Sequence, residues 1–294
     1  MDYTYSVSIP HYNSVKLLSR MLKSIPERED IQVIVVDDGS NEKDVAELKN
    51  LQHKNLELIL LGENHGGGYA RNVGLKHATG KWFISVDADD YFSEDAFEVF
   101  DEYEDEGIDC LFFFLKCVDI NGIENRNVSL PNETVINYSK EPSKKNEDAL
   151  RFLNTTSWNK LVSLQFIQDH HIEYEDCKVN IDVYYSFGIG QNLKKFMIAP
   201  NYLYNLVSSD GSITRKSRTI EREFLFYLQA QKRNGFYEAI GLKKWPYYRY
   251  DFLYIPFMIK KRGFNGAWQF FKYRKEHIEE VKEARRAYLT LLQK

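Results

Sequence analysis

Trp82-Phe83-Ile84-Ser85-Val86 runs directly into Asp87-Ala88-Asp89-Asp90: five residues without a charge, then three carboxylates in four positions. A short run rich in aromatic and β-branched residues, closed by polar ones, has the pattern of a buried strand. Asp87 and Asp89 alternate along the extended segment that follows, so their side chains fall on one side of it. Carboxylates paired in this way suit an oxygen-preferring octahedral cation, Mg²⁺ or Mn²⁺, whose remaining positions stay open to water and to diphosphate oxygens. Carboxylates after strands are also common as caps and turns, so the triplet alone says little. Its place in the chain gives it weight.

Upstream, apolar runs alternate with amphipathic stretches. Strands are expected at 5–9, 31–36, 56–61, 82–86 and 109–115, with helices at 14–24, 42–50, 68–77 and 93–106. That alternation predicts a parallel sheet covered by helices. Ser93 is expected to cap the last of these helices, with Glu94 and Asp95 in the first turn, where the helix dipole favours negative charge. Ligands bind at the carboxyl edge of such a sheet. Three polar clusters end strands there: Pro10-His11-Tyr12-Asn13, Asp37-Asp38-Gly39-Ser40 and the aspartate triplet. They are expected to converge on one site. Asp37-Asp38-Gly39-Ser40 suits two jobs equally, capping the helix that begins near Glu42 or accepting hydrogen bonds from a base or ribose on which Tyr12 could stack.

Asn64-His65-Gly66-Gly67-Gly68-Tyr69-Ala70-Arg71-Asn72 has the look of a phosphate-binding glycine loop and fails both tests for one. After Gly66 and Gly68 the dinucleotide pattern needs glycine or alanine where Arg71 stands, and no Gly-Lys-Ser/Thr completes a P-loop. A helix beginning near Gly68 instead aims Arg71 back at the strand edge, toward a base or an anionic phosphate. His11 and His65 are more often bystanders than ligands.

After residue 115 the alternation stops. Asn121-Gly122 predicts a hairpin turn, and with it a mixed sheet; short helices are expected at 147–153 and 164–170. Beyond Ile220 the chain reads as helical, divided by Pro246, Pro256, Gly263 and Gly266. The net charge of −4 is uneven: residues 241–294 hold 13 Lys and Arg against 5 Asp and Glu, leaving −12 for the rest. A basic tail favours an anionic membrane or an acidic ligand, or is a solvated helical face. Aromatic residues make 15% of the chain, enough to furnish stacking surfaces for bases and sugars after the core is filled. The three cysteines, Cys110, Cys117 and Cys177, have neither disulfide nor zinc-site spacing. No basic stretch followed by an apolar run opens the chain. The longest apolar stretch falls short of the roughly 20 residues that span a bilayer, so a cytoplasmic location is expected.

Pro10-His11-Tyr12-Asn13, Val35-Val36-Asp37-Asp38-Gly39-Ser40, the stretch from Asn64 to Asp90 and Ser157-Trp158-Asn159-Lys160-Leu161 together resemble family 2 glycosyltransferases of the GT-A fold. The resemblance runs from residue 5 to 215, in the family's order and spacing. It implies an α/β GT-A fold, a mixed central sheet flanked by helices with a C-terminal helical extension. It divides the chain into a catalytic domain at 1–218 (nucleotide-binding half 1–115, acceptor half 116–218) and a helical region at 219–294. It also implies a nucleoside-diphosphate sugar donor, UDP-linked as first choice, with Mn²⁺ or Mg²⁺ at the triplet and inversion at the anomeric carbon. Transfer of a hexosyl or N-acetylhexosaminyl group in surface polysaccharide or glycan assembly is the expected activity.

Carried onto this sequence, the resemblance puts Pro10, Tyr12, Asp38 and Arg71 at nucleoside-binding positions, with Asp37 contributing. Asp87 would face the ribose or donor sugar across Ala88 from Asp89, the metal ligand. Trp158 and Lys160 fall beside the acceptor. Relatives carry an aromatic residue followed seven and eight positions later by Glu-Asp; from Tyr174 these positions hold Ile181 and Asp182. Asp182 is therefore the expected base and Asp176 its rival. Gly211-Ser212-Ile213-Thr214 matches a segment able to close over the donor. Expected partners are a saccharide or lipid-linked saccharide acceptor and no nucleic acid, with the basic C-terminal region meeting the inner face of the membrane or a second copy. The missing Glu motivates a non-catalytic, sugar-nucleotide-binding subunit as alternative. A pyrophosphorylase is disfavoured because no glycine- and lysine-rich nucleotide loop lies near the first strand. An aspartyl-phosphate phosphatase is disfavoured by Tyr91 where threonine belongs.

Overall fold

The computed structural model describes residues 3–125, 129–208, 219–244 and 251–293. Four strands, β1 (Tyr5–His11), β2 (Ile31–Asp37), β3 (Leu56–Leu60) and β4 (Trp82–Ser85), pair in parallel in the order β3-β2-β1-β4. Between them run α1 (Val15–Lys23), α2 (Glu42–Leu48) and α3 (Gly67–His77). Successive side chains enter opposite core layers: Val33, Val35 and Ile84 pack with Tyr5 and Ile9, while Ile34, Val36 and Phe83 pack on the other face. β1, β2 and β4 are buried on both faces, which is why residues 33–36 and 82–84 read as apolar runs, whereas β3 is only half-buried.

The chain continues through β5 (Tyr91–Phe92), α4 (Ala96–Asp101), β6 (Cys110–Val118), α5 (Leu130–Lys140), α6 (Lys144–Phe152), β7 (Lys160–Ser163), α7 (Leu164–Asp169), α8 (Asp182–Asn192) and β8 (Phe196–Val207). The complete sheet runs β3-β2-β1-β4-β7-β6-β8-β5. β7 is antiparallel to both β4 and β6, and β5 is antiparallel to β8. The expected mixed sheet is present, but its change of direction comes from β7. The Asn121-Gly122 turn forms, with Asp119 accepting from Gly122 N–H at 3.0 Å and donating to Ile123 O at 2.9 Å. Among the described residues its pairing is the single bridge Val118–Glu124.

The expected cap at Ser93 is not found. Ser93 N–H donates to Leu203 O at 3.0 Å, which keeps that residue tied to β8, and α4 begins only at Ala96. Sheet pairing therefore delays the helix by three residues relative to its local signal. Asp95 takes the cap position instead, without a side-chain capping bond.

By its internal contacts the chain divides into two compact units, residues 1–177 with 181–210, and residues 178–180 with 211–294. In the second, α9 (Ile220–Ala239), α10 (Asp251–Glu276) and α11 (Ile278–Ala287) pack around Phe224, Tyr227, Met258, Phe270 and Val281. Gly263, at φ 69°, breaks the regular path of α10, whereas Pro256 and Gly266 stay inside it; Pro246 lies outside the described residues. No helix among the described residues is long and apolar enough to cross a membrane. Cys110 and Cys117 are free thiols.

Candidate active site

At the carboxyl edge of the parallel strands the loops after β1 and β2 are stitched together. Ser14 N–H donates to His11 Nε2 at 3.1 Å, which leaves the ring proton on Nδ1 to donate to Asp37 Oδ1 at 2.8 Å. Asp37 also accepts from the backbone N–H of Ser40, at 3.1 Å, and from its hydroxyl. Asn13, in the left-handed region at φ 50°, accepts from Asn41 N–H at 2.9 Å and from Asn41 Nδ2 at 2.7 Å. Asp37 is thus a buried brace between two loops, while Tyr12, 52% exposed, and half-buried Pro10 remain at the surface.

Asp38 serves the next loop. Its carboxylate accepts from His65 N–H at 2.7 Å and Gly66 N–H at 2.8 Å, pinning the entry to α3. Gly39 makes this approach possible: it sits at φ +72°, and a Cβ there would fall 2.4 Å from the Glu63 carbonyl carbon. The glycine run itself answers a packing need. A Cβ on Gly68 would lie 2.2 Å from Glu175 O, so α3 touches the segment leading to α8 backbone to backbone. Asn72, one helical turn further on, clamps that segment by donating to Tyr174 O at 2.9 Å and accepting from Tyr174 N–H at 2.8 Å.

α3 carries Arg71 into the centre of these loops. Only 6% exposed, Arg71 donates through Nη2 to Asp87 Oδ1, and its Nε lies 3.5 Å from Asp182 Oδ1. Burial opposes the guanidinium's charge, but Asp182 and then Asp87 outweigh it, so Arg71 stays firmly protonated. Burial is also the largest influence on Asp182, and there it prevails over Arg71, raising the carboxyl above its ordinary range. Asp182 is the partner that yields. A carboxyl so displaced beside a buried cation is the kind of group found at functional sites.

The aspartate triplet is held from two sides. Arg20 of α1 donates to the backbone carbonyl of Asp89 and lies over the Tyr91 ring, 5.2 Å from its centroid. Asp90, 1% exposed, accepts from the Tyr204 hydroxyl at 2.8 Å and from Val207 N–H at 2.7 Å. The same Tyr204 oxygen accepts from Asp87 N–H at 3.1 Å. Burial, and then Asp87 and Asp89, push Asp90 well above the usual carboxylate range. Asp89 reaches solvent, yet the surrounding protein and Asp87 push its carboxyl up to about 6. One oxygen from each of Asp87, Asp89 and Asp90 lies within 4.8 Å of the others, an all-oxygen set of the kind hard divalent cations take. Asp90 already serves two donors, so Asp87 and Asp89 are the members open to a ligand.

Trp158 and Lys160, expected beside the acceptor, are buried, and their described contacts are internal. Trp158 stacks on Tyr204. Lys160 donates to Asn154 O at 3.0 Å, to Thr156 O and to Ser186 Oγ at 3.3 Å, and burial lowers its pKa to about 8. Asp176 is exposed. Gly211-Ser212-Ile213-Thr214 lies outside the described residues. Arg20, Asn72 and Tyr204 received no role from the sequence, and no local signal marks them; Asp90 was marked only as a member of the aspartate cluster.

A glycosyl transferase family 2 model matches residues 6–167. The chain is 32% identical over 157 residues to the poly(ribitol-phosphate) beta-N-acetylglucosaminyltransferase TarS of Staphylococcus aureus, a match covering 48% of this chain and 27% of that one. It is 28% identical over 225 residues to the minor teichoic acid biosynthesis protein GgaB of Bacillus subtilis, covering 72% and 24%. The crystal structure of S. aureus TarS 1-349 in complex with UDP superposes with a TM-score of 0.53 at 27% identity, covering 71% of this chain and 61% of that one. The chain spans about a quarter of the length of these two curated relatives.

Proposed function

The chain belongs to glycosyl transferase family 2 and carries the GT-A fold, and from that premise we propose that it moves a sugar from a UDP-sugar to an acceptor hydroxyl with inversion at the anomeric carbon. The observation that carries this reading is the position of Arg71 between Asp87 and Asp182, which draws two carboxylates from distant segments to one sheet edge. Asp182 is the base. It takes the proton of the acceptor hydroxyl as that oxygen bonds to the anomeric carbon, while the bond from this carbon to the diphosphate oxygen breaks on the opposite face. The raised pKa of Asp182 suits it to hold that proton.

Tyr12, Pro10 and the Asp38 loop form the nucleoside end, with Asp37 bracing them. Asp87 faces the ribose or sugar. Asp89 is the ligand for Mn²⁺ or Mg²⁺, which when bound supplies positive charge against the leaving diphosphate. The fit rests on the crowding of three carboxylates within 4.8 Å of one another, a repulsion that a cation would relieve.

The resemblance to TarS and GgaB supports UDP-GlcNAc as the first donor to try, and a polyol-phosphate polymer of the cell surface as the first acceptor. On α10, Phe252, Phe264 and Trp268 are 64%, 80% and 72% exposed, with exposed Lys260, Lys272 and Lys275 on the same helix. This composition supports seating of the C-terminal unit on an anionic membrane. Incubation with UDP-GlcNAc, poly(ribitol phosphate) and Mn²⁺ should release UDP and label the polymer, and both signals should vanish with EDTA and in Asp182→Asn. Full labelling by Asp182→Asn would remove Asp182 as base; labelling from another UDP-sugar alone would reassign the donor.

A further inference from the structure

Five buried side-chain atoms at the inner side of the candidate base have no hydrogen-bond partner among the described residues: Asp182 Oδ1, Arg71 Nε, Ser157 Oγ, Tyr174 Oη and Ser85 Oγ. They are neighbours. Arg71 Nε lies 3.5 Å from Asp182 Oδ1, the Ser157 hydroxyl faces Asp182, and the Tyr174 hydroxyl faces both Ser85 and Ser157. Ser85 and Ser157 are 1% exposed and Tyr174 2%. Buried polar atoms are almost always bonded, to protein or to ordered water, because leaving one unpaired costs about 1–3 kcal/mol.

Tyr174 cannot turn away. The Tyr174 ring stacks on Tyr185 with centroids 4.2 Å apart, and Asn72 holds both of its backbone polar groups. Ser157 leaves the turn whose carbonyls, Asn154 O and Thr156 O, accept from Lys160 Nζ. Asp182 begins α8, so its backbone is fixed while its side chain still chooses a rotamer. A base must present one oxygen to the acceptor hydroxyl, and a donor on the opposite side selects the rotamer that does so.

We infer that Ser157 is a positioning residue for the base: its hydroxyl, backed by Tyr174 and Ser85 directly or through a buried water, donates to the Asp182 carboxylate and fixes the orientation in which Asp182 meets the acceptor. This rests on Asp182 being the base. Nothing in the family resemblance assigns a role to this serine, which precedes the Trp158 and Lys160 positions.

A hydroxyl donating to the ionised carboxylate lowers its pKa, as Arg71 and Lys160 also do. Burial and Asp87 act the other way, and the neutral rings of Tyr174 and Tyr185 close the remaining side. Removing the Ser157 hydroxyl leaves burial less opposed.

The test is the pH dependence of kcat/KM for transfer from UDP-GlcNAc in Ser157→Ala, Ser157→Thr and Tyr174→Phe. In Ser157→Ala the acid limb should move upward by about one pH unit, the worth of one charge-assisted hydrogen bond. Its kcat should fall about tenfold, with donor KM within about twofold. Ser157→Thr, which keeps the hydroxyl, should restore the limb, and Tyr174→Phe should shift it in the same direction by less. If Ser157→Ala does not fold, the Tyr174→Phe limb decides. An acid limb unmoved in the variants that fold, with only melting temperature or KM changed, overturns the inference. Asp182→Asn separates the two levels: if it keeps full transfer, the base assignment fails; if it is inactive while the limbs stay put, only the role of Ser157 fails.

Discussion

Tyr204 lies parallel to Trp158, with ring centroids 5.9 Å and planes 2° apart, and its hydroxyl binds both the Asp90 carboxylate and the Asp87 backbone N–H. The aromatic stack therefore fixes the height of the aspartate loop above the sheet. Tyr204→Phe keeps the stack and removes only the oxygen, leaving Asp90 short of a donor in a buried place. We expect a loss of about 1–3 kcal/mol in unfolding free energy, measured by urea titration. Weaker Mn²⁺ affinity, measured by calorimetry, should accompany it. An unchanged Mn²⁺ isotherm would show that the loop keeps its shape without this oxygen.

Arg71→Lys tests the guanidinium's two-sided reach. A lysine retains the charge but cannot address Asp87 and Asp182 from one planar group. The expected loss in kcat/KM is about tenfold to a hundredfold, the worth of one hydrogen bond between charged groups. Full activity in Arg71→Lys would mean that a point charge suffices there.

Asp182 has a folded-state pKa above its unfolded value. The sign follows: the folded chain holds this proton more tightly, so the associated stability is complete below the unfolded pKa and is lost as pH rises through the folded one. At neutral pH the ionised carboxylate works against folding. Asp182→Asn should therefore melt higher than the parent at pH 7 while transferring no sugar, with the difference shrinking toward acid pH. A lower melting temperature at pH 7 would contradict this.

Asn72→Ala removes both side-chain bonds that tether Tyr174. We expect kcat to fall by about one order of magnitude, through misplacement of a segment that ends at the base. UDP affinity, set on the other side of α3, should stay within about twofold by calorimetry. Equal losses in both would mean that the tether holds the whole site.

The exposed aromatic and lysine side chains of α10 predict flotation with vesicles containing phosphatidylglycerol, weakened by salt. The double substitution Phe264→Ser, Trp268→Ser should abolish it while the circular dichroism spectrum is kept. Protein remaining at the bottom of the gradient with anionic and neutral vesicles alike would remove the membrane from the account.

What was legible in the sequence was whatever local pattern encodes. β1, β2 and β4 and the polar clusters that end them were plain because both faces of these strands are buried, and half-buried β3 was marked by its run of leucine and isoleucine. β7, four residues beginning with a lysine, and β5, two residues long, give no periodicity to detect. The glycine run looked like a phosphate loop because close backbone approach to Glu175 requires the same residue as approach to a phosphate. Asn72 and Tyr204 were silent for a different reason. Their partners lie 102 and 114 positions away, and no one-dimensional pattern records a contact of that span.

The clasp on Asp90 carries a consequence for how the chain is made. Both of its donors, Tyr204 and Val207, belong to the last strand, whereas the loop they hold follows the fourth. On a ribosome, the first four strands can pair long before β8 has left the exit tunnel, and the aspartates then hang without their support. The nascent protein thus gains its parallel strands early and the support of its aspartate loop late. A nascent chain halted before residue 196 carries every aspartate of the loop and neither of the two donors that clasp Asp90.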